Sequence, residues 1–397
     1  MSFYIDPAFF IIVAVAMVPA VVMGLRGRSS KWYGLVLSLV MLGFLFCRDL
    51  PGLAAFAVFL AVSCGAAFAT LHWFKAEDSK AVLKYRVALA VAILPLVCAK
   101  VSAVFDTNIL GFLGISYLTF KSVQVLIEIR DGLIKDMSFA DYLYFLVFVP
   151  VFTSGPIMSS RDFMDQLDNR PDHDEYLALL AKGMAWFARG LVYSFLLAGV
   201  FRWLLWFGPS VIGTADLAAV VGSQLTEGLC YGLYLFFDFA GYSLMAMGIG
   251  AAMGIRVPAN FNAPFASVDI KDFWNRWHIT LSFWLRDYVF MRVSKVAVKK
   301  KWFKDRAYVA CLGFMCNMTL MGVWHGLTVD YIAYGVYHGL LLCICELFQR
   351  KSKFYKAHKK DAWFKTLSWA VTMVAVFFGF ALFSGQVTTG VLGAING

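Results

Sequence analysis

Apolar positions in this chain are not spaced to give one hydrophobic face; they run together. Phe9 to Leu25, Trp32 to Cys47, Leu53 to Phe74 and Ser368 to Phe383 are nearly unbroken hydrophobic stretches. Each approaches the roughly 20 residues that a helix needs to cross a hydrocarbon core of ~30 Å. The pattern predicts membrane-spanning helices, and Trp32, Tyr33, Trp73 and Trp206 near the stretch ends suit rings anchored among headgroups. The first stretch has Asp6 as its only early charge and lacks the basic start and small-residue cleavage site of a signal peptide. It is therefore expected to remain as the first membrane helix.

The polar segments between the stretches carry a sign. Arg26, Arg28 and Lys31 share a short segment without an acid, Lys75 to Arg86 is net basic, and Lys295 to Arg306 and Arg350 to Lys365 are the strongest basic loops. Short loops rich in Lys and Arg stay cytoplasmic, which predicts an outward N-terminus. Two segments resist this reading. Ser154 to Glu175 is long and polar, with Asp162, Asp165, Asp168, Asp172, Asp174 and Glu175 against Arg161 and Arg170, and fits an external loop or a re-entrant segment. Ile255 to Lys271 contains Pro258, Asn260, Asn262 and Pro264 and cannot continue a helix. Irregular backbone at membrane depth is tolerated only where protein or water surrounds it. With no internal repeat or linker, residues 1–397 are expected to form one polytopic, all-α integral membrane domain of roughly ten to twelve crossings.

Composition agrees. The chain is 61% hydrophobic and only 15% charged, beyond the roughly 45–50% apolar content of soluble domains. The net charge of +10 does not point to nucleic acid, because the basic residues cluster in the loops where membrane orientation places them. The eight cysteines lie within or at the ends of apolar runs without paired ligand spacing, so they predict neither a metal site nor a disulfide framework.

Ionisable and polar residues at membrane depth are costly unless paired or facing an aqueous cavity, so each is a functional candidate with a structural alternative. Asp238, in Tyr234-Leu-Phe-Phe-Asp-Phe-Ala-Gly-Tyr242, either pairs with a cation on a neighbouring helix or lines a substrate path. Lys100, Lys121 and Glu128 lie near expected helix ends and are read as snorkelling. The segment Asp272-Phe-Trp-Asn-Arg-Trp-His278-Ile-Thr-Leu-Ser-Phe-Trp-Leu-Arg-Asp287 reads as one amphipathic helix. Helical spacing sets Asn275, His278 and Ser282 on one face and Trp277, Leu281 and Trp284 on another, with Trp274 nearby. It either borders a polar cavity or lies among headgroups. The second constellation is Gly322-Val-Trp324-His325-Gly326, at the end of an apolar run. Glycines on both sides allow close approach of a backbone or a ligand, and an imidazole suits a general base; a packing histidine is the alternative. His338, in Tyr337-His-Gly339, reads as a helix-packing residue.

Taken in order, Trp274-Asn-Arg-Trp-His278, Gly322-Val-Trp-His-Gly326 and Tyr337-His-Gly339 resemble the membrane-bound O-acyltransferase family. Gly114-Ile-Ser-Tyr-Leu-Thr-Phe-Lys121, Ser154-Gly-Pro156, Phe239-Ala-Gly-Tyr-Ser243, Asn260-Phe-Asn262 and Lys271-Asp-Phe-Trp274 are similar to its branch acting in teichoic acid D-alanylation. The resemblance is strongest over residues 111–341.

It implies a ring of helices around a central tunnel, with His325 and His278 as the catalytic pair; around them, Asn275, Trp274, Trp277, Ser282, Trp324 and Asp238, singled out above by residue type and place, are the expected substrate-binding residues. It also implies that D-alanine arrives as a phosphopantetheine thioester on an acidic cytosolic carrier protein and leaves to a hydroxyl acceptor, with no bound cofactor and no metal. Lys295, Val296, Val298, Lys299, Lys300 and Lys301 would dock that carrier, since a basic surface with apolar contacts suits an acidic partner. Membrane lipids, an extracytoplasmic acyltransferase partner and a small membrane subunit complete the expected partners; nucleic acid is not among them. Two other readings stay open: an O-acetyltransferase of an exported polysaccharide, and a transporter or channel without covalent chemistry.

Overall fold

In a computed structural model of the protein, residues 4, 6–207, 217–385 and 387 are described. All their regular structure is helical. The chain divides into two compact units, the first comprising Met1–Leu191 with Tyr242–Ala259, the second Val192–Gly241 with Asn260–Gly397.

The first unit holds α1 (Pro7–Leu25), α2 (Lys31–Phe46), α3 (Leu50–Lys75), α4 (Ala81–Val104), α5 (Ile115–Arg130), α6 (Phe139–Val147), α7 (Ser160–Asp168) and α8 (His173–Leu191). In the second are α9 (Ala198–Phe207), α11 (Ile270–Arg276), α12 (Ile279–Leu285), α13 (Met291–Lys299), α14 (Arg306–His325), α15 (Val329–Lys351), α16 (Lys353–His358) and α17 (Ala362–Phe383). α10 (Leu217–Ala252) contributes residues to both. Among the described residues, eight helical spans are long and apolar enough to cross a membrane, and α2 is a shorter apolar helix. The protein is a multi-pass membrane protein.

Local chemistry sets the helix starts. Asp6, Asp49, Asp269 and Asp305 each accept a backbone N–H at the head of α1, α3, α11 and α14, satisfying amides that have no partner within the helix. Side chains such as Ile11, Val15 and Val18 on α1 and Val371 and Val374 on α17 are exposed. For a membrane protein these outward faces belong to lipid.

Two expectations change. Lys121 and Glu128 do not snorkel: both are buried on α5, whose residues are buried almost throughout. Lys121 Nζ donates to the carbonyls of Phe145 (2.7 Å) and Leu146 (3.3 Å), in the last turn of α6, where a cation meets the negative end of the helix dipole. Glu128 accepts from Ser160 Oγ and pairs with Arg161 at 3.3 Å, so its burial is compensated. The polar stretch at 154–175 accordingly turns inward through Ser160 while α7 and the head of α8 form helices. The basic segment at 295–306 also begins as helix, its first residues forming the end of α13.

Candidate active site

His325 and His278 line the same cavity in the second unit, an opening of about 400 Å³ whose wall also includes Trp274, Trp277, Tyr334 and Phe383. The two imidazoles are brought there by different backbones.

His325 is the last residue of α14. Its position follows from how tightly α14 and α15 pack. A Cβ at Gly322 would come within 2.3 Å of the Tyr331 carbonyl oxygen, and one at Gly335 within 2.4 Å of the Met318 carbonyl oxygen. Only glycine permits this approach, so the two helices close against each other directly beneath His325. The ring is then boxed by aromatics, with Phe383 edge-on at 4.9 Å, Trp324 at 4.6 Å and Tyr331 at 5.9 Å.

His278 stands at a break. The expected single helix over 272–287 ends at Arg276 and restarts at Ile279, because His278 adopts a left-handed conformation, φ 44° and ψ 51°. For a residue with a Cβ this costs roughly 1–2 kcal/mol, and the freed backbone groups need partners. The Asn-rich segment supplies them. Asn262 N–H donates to the Arg276 carbonyl at 3.0 Å, Ile279 N–H donates to the Asn260 carbonyl at 2.9 Å, and Thr280 Oγ1 donates to Asn260 Oδ1 at 2.6 Å. The irregular stretch that could not be a helix thus braces the histidine. The sequence marked Asn260 as part of the Pro- and Asn-rich stretch and through the family resemblance, without its role beside His278; its signal was an amide between Pro258 and Pro264.

The segment is also held from α15. Lys271 pairs with Glu346 and donates to Gln349 Oε1 at 2.9 Å, while Gln349 Nε2 donates to Asp269 Oδ2 at 2.9 Å, and Arg350 pairs with Glu346. Asp269 also caps α11, so the start of the His278 segment is tied to α15 by charge and by hydrogen bonds. Trp277 stacks on Phe273 at 5.5 Å, and Phe239 lies edge-on to His278 at 4.7 Å. His278 lies outside the eight spans, and burial, with a smaller push from His325, lowers its pKa from the ordinary imidazole value. A neutral ring keeps one nitrogen as donor and one as acceptor.

Of the other residues expected to bind substrate, Trp274 and Trp277 line the cavity, and the Trp274 indole N–H has no hydrogen-bond partner among the described residues. Asn275, Ser282, Trp324 and Asp238 are not part of its wall. Asn275 is exposed, and Ser282 Oγ donates to the Trp277 carbonyl at 3.3 Å. Trp324 supports His325 from behind. Asp238 is exposed on α10, within electrostatic reach of the Arg202 guanidinium. Tyr334 and Phe383, which the sequence did not single out, complete the wall.

A family model describing membrane-bound O-acyltransferases matches residues 69–392. The chain belongs to that family, and it is an acyltransferase. Among curated proteins it is 37% identical over 97% of its length to a teichoic acid D-alanyltransferase of Bacillus subtilis, 98% of which is covered. It is 40% identical over 74% of its length to a teichoic acid D-alanyltransferase of Streptococcus thermophilus, 73% of which is covered. A probable alginate O-acetylase of Pseudomonas syringae is 31% identical over 70% of this chain, and half of that protein is covered.

Proposed function

We propose that this protein transfers D-alanine to a hydroxyl acceptor for the D-alanylation of teichoic acid, with His325 as general base and His278 as its partner. The observation that carries the reading is the shared cavity of the two histidines, in a chain that matches a teichoic acid D-alanyltransferase almost end to end. The alginate-type relatives match over only half of their own length, which makes O-acetyl transfer to a polysaccharide the weaker reading.

D-alanine enters as a thioester. His325 takes the proton from the acceptor hydroxyl as its oxygen attacks the thioester carbonyl; the C–O bond forms, the C–S bond breaks, and the thiolate leaves and is protonated. His278 and the Trp274 N–H are donors on this wall that suit the carbonyl oxygen, whose negative charge grows in the transition state. The thioester supplies the driving force, so the step calls for neither metal nor nucleotide.

The thioester is borne by phosphopantetheine on an acidic carrier that docks from the cytoplasmic side, and the acceptor approaches from the other side with an extracytoplasmic acyltransferase partner and a small membrane subunit. What supports docking is the surface at the end of α13. Val296 and Val298 are 44% and 52% exposed beside Trp302 and Phe303, and Lys295, Lys299, Lys300 and Lys301 are exposed around them. A dense positive field speeds encounter with an acidic partner in a salt-dependent way, and the apolar side chains supply desolvated contact.

The test reverses Lys299, Lys300 and Lys301 to Glu and, separately, changes Val296 and Val298 to Asp, with membrane insertion checked. Both variants should bind the D-alanylated carrier more weakly, the first chiefly through a slower, less salt-sensitive association. Unchanged affinity across a range of salt would make this surface a topology signal only.

A further inference from the structure

The first unit contains an open cleft of about 420 Å³ that acyl transfer does not use. Three segments build it: the α1–α2 loop, the α7–α8 turn and the chain just after α10. They are pinned together. Ser30 Oγ donates to the Met253 carbonyl at 2.8 Å, Tyr176 Oη donates to the Ala252 carbonyl at 2.8 Å, and both faces of the Gln166 amide are taken by the Arg256 backbone. Glycine keeps the cleft open: Gly27 and Gly254 have φ of +61° and +79°, and a Cβ at Gly24 would strike the Tyr176 ring at 2.2 Å.

Arg28, Lys31 and Arg170 line this cleft, and no carboxylate does. Lys31 is already paired with Asp141. Among the described residues Arg28 and Arg170 enter no ion pair or side-chain hydrogen bond, although the polar groups around them are satisfied. Two guanidiniums that form no ion pair among the described residues, in a preformed polar cleft, call for an oxyanion that can accept their fork of donors.

Depth identifies its source. The cleft lies where the apolar span Ala8–Leu25 ends, at headgroup level, on the side that the basic loop marks as cytoplasmic. Ile11, Val15, Val18, Val22 and Leu25 are all exposed on α1 and recur at helical spacing, forming an apolar stripe that leads up to the loop carrying Arg28. We propose that the cleft binds the phosphate of an anionic phospholipid of the cytoplasmic leaflet, held by Arg28 and Arg170, with an acyl chain along the α1 stripe.

The experiment titrates the full chain, purified in neutral detergent, with short-chain phosphatidylglycerol, short-chain phosphatidylcholine and inorganic phosphate, reading the thermal midpoint. Phosphatidylglycerol should stabilise saturably, well ahead of the other two. Arg28→Gln with Arg170→Gln should weaken it by about thirtyfold and either single change by about fivefold, while Arg28→Lys with Arg170→Lys keeps the charge without the fork and should restore only part of the effect. Replacing Lys356 and Lys359 by Gln, in a different basic segment, should leave it unchanged. Inorganic phosphate acting as strongly as the lipid would overturn the lipid assignment and leave a soluble-anion site. If the Gln variants respond as the unmodified protein does, or phosphatidylcholine stabilises equally, the proposal is wrong.

Discussion

The α14–α15 pair and the α11–α12 segment deliver one histidine each to a single cavity, and they do so by opposite means. His325 ends an unstrained helix, and its support is close packing of backbone on backbone at Gly322 and Gly335. His278 occupies a strained left-handed position, and its support is polar: Asn260 and Thr280 on one side, the Lys271–Glu346 pair on the other. A group held by packing is fixed by volume, whereas one held across a helix break is fixed by hydrogen bonds and charge. The two halves of the site should therefore fail differently.

The packed half should be the more fragile. Gly322→Val puts a side chain where a Cβ already approaches the Tyr331 carbonyl oxygen to 2.3 Å. Overpacking of this kind costs about 1–3 kcal/mol or more, and because the clash is with backbone it should also displace His325. Denaturation in micelles should show lower stability together with lost activity; a stable, active variant would mean that the helices can separate without consequence.

The polar half should lose less, and in a way that a cycle can isolate. Lys271→Met and Glu346→Gln, alone and together, should show a coupling of about 0.5–3 kcal/mol, with acyl transfer falling most where a single partner is left behind. Additive effects would show that this pair does not hold the His278 segment. A smaller effect tests the strain itself. His278→Gly and His278→Ala both remove the imidazole, but glycine accepts φ 44° without penalty, so the Gly variant should be more stable by about 1 kcal/mol. Equal stability would mean that the left-handed turn relaxes once the ring is gone.

The same contrast explains what could be read in the sequence. The Trp-His-Gly end of α14 stood out because a long apolar run ends in His with glycines on both sides, although residue type alone left a packing histidine as the alternative. Both histidines and the tryptophans at 274 and 277 were found by residue type. The break at His278 was not, since nothing between Asp272 and Asp287 is a helix breaker; the cause lies at Asn260 and Asn262, distant in sequence and joined by backbone hydrogen bonds. A helical face computed through that break carried Asn275 and Ser282 toward the cavity, which neither lines. Lys121 and Glu128 misled for a related reason, because proximity to a helix end says nothing about the carbonyls of α6 or the Ser160 hydroxyl that meet them in the fold.

The central claim is that His325 and His278 act as one unit in this cavity. The most direct measurement is single-turnover transfer of D-alanine from the carrier thioester, by protein in bilayers, for His325→Ala, His278→Ala and the double variant, each shown to be folded and to bind the carrier. His325→Ala should lose roughly 10²–10⁴-fold in rate, His278→Ala should lose activity to a smaller extent, and the double variant should be little slower than His325→Ala alone, because residues that act together are not additive. Near-normal turnover by His325→Ala, or two losses that simply multiply, would contradict the account.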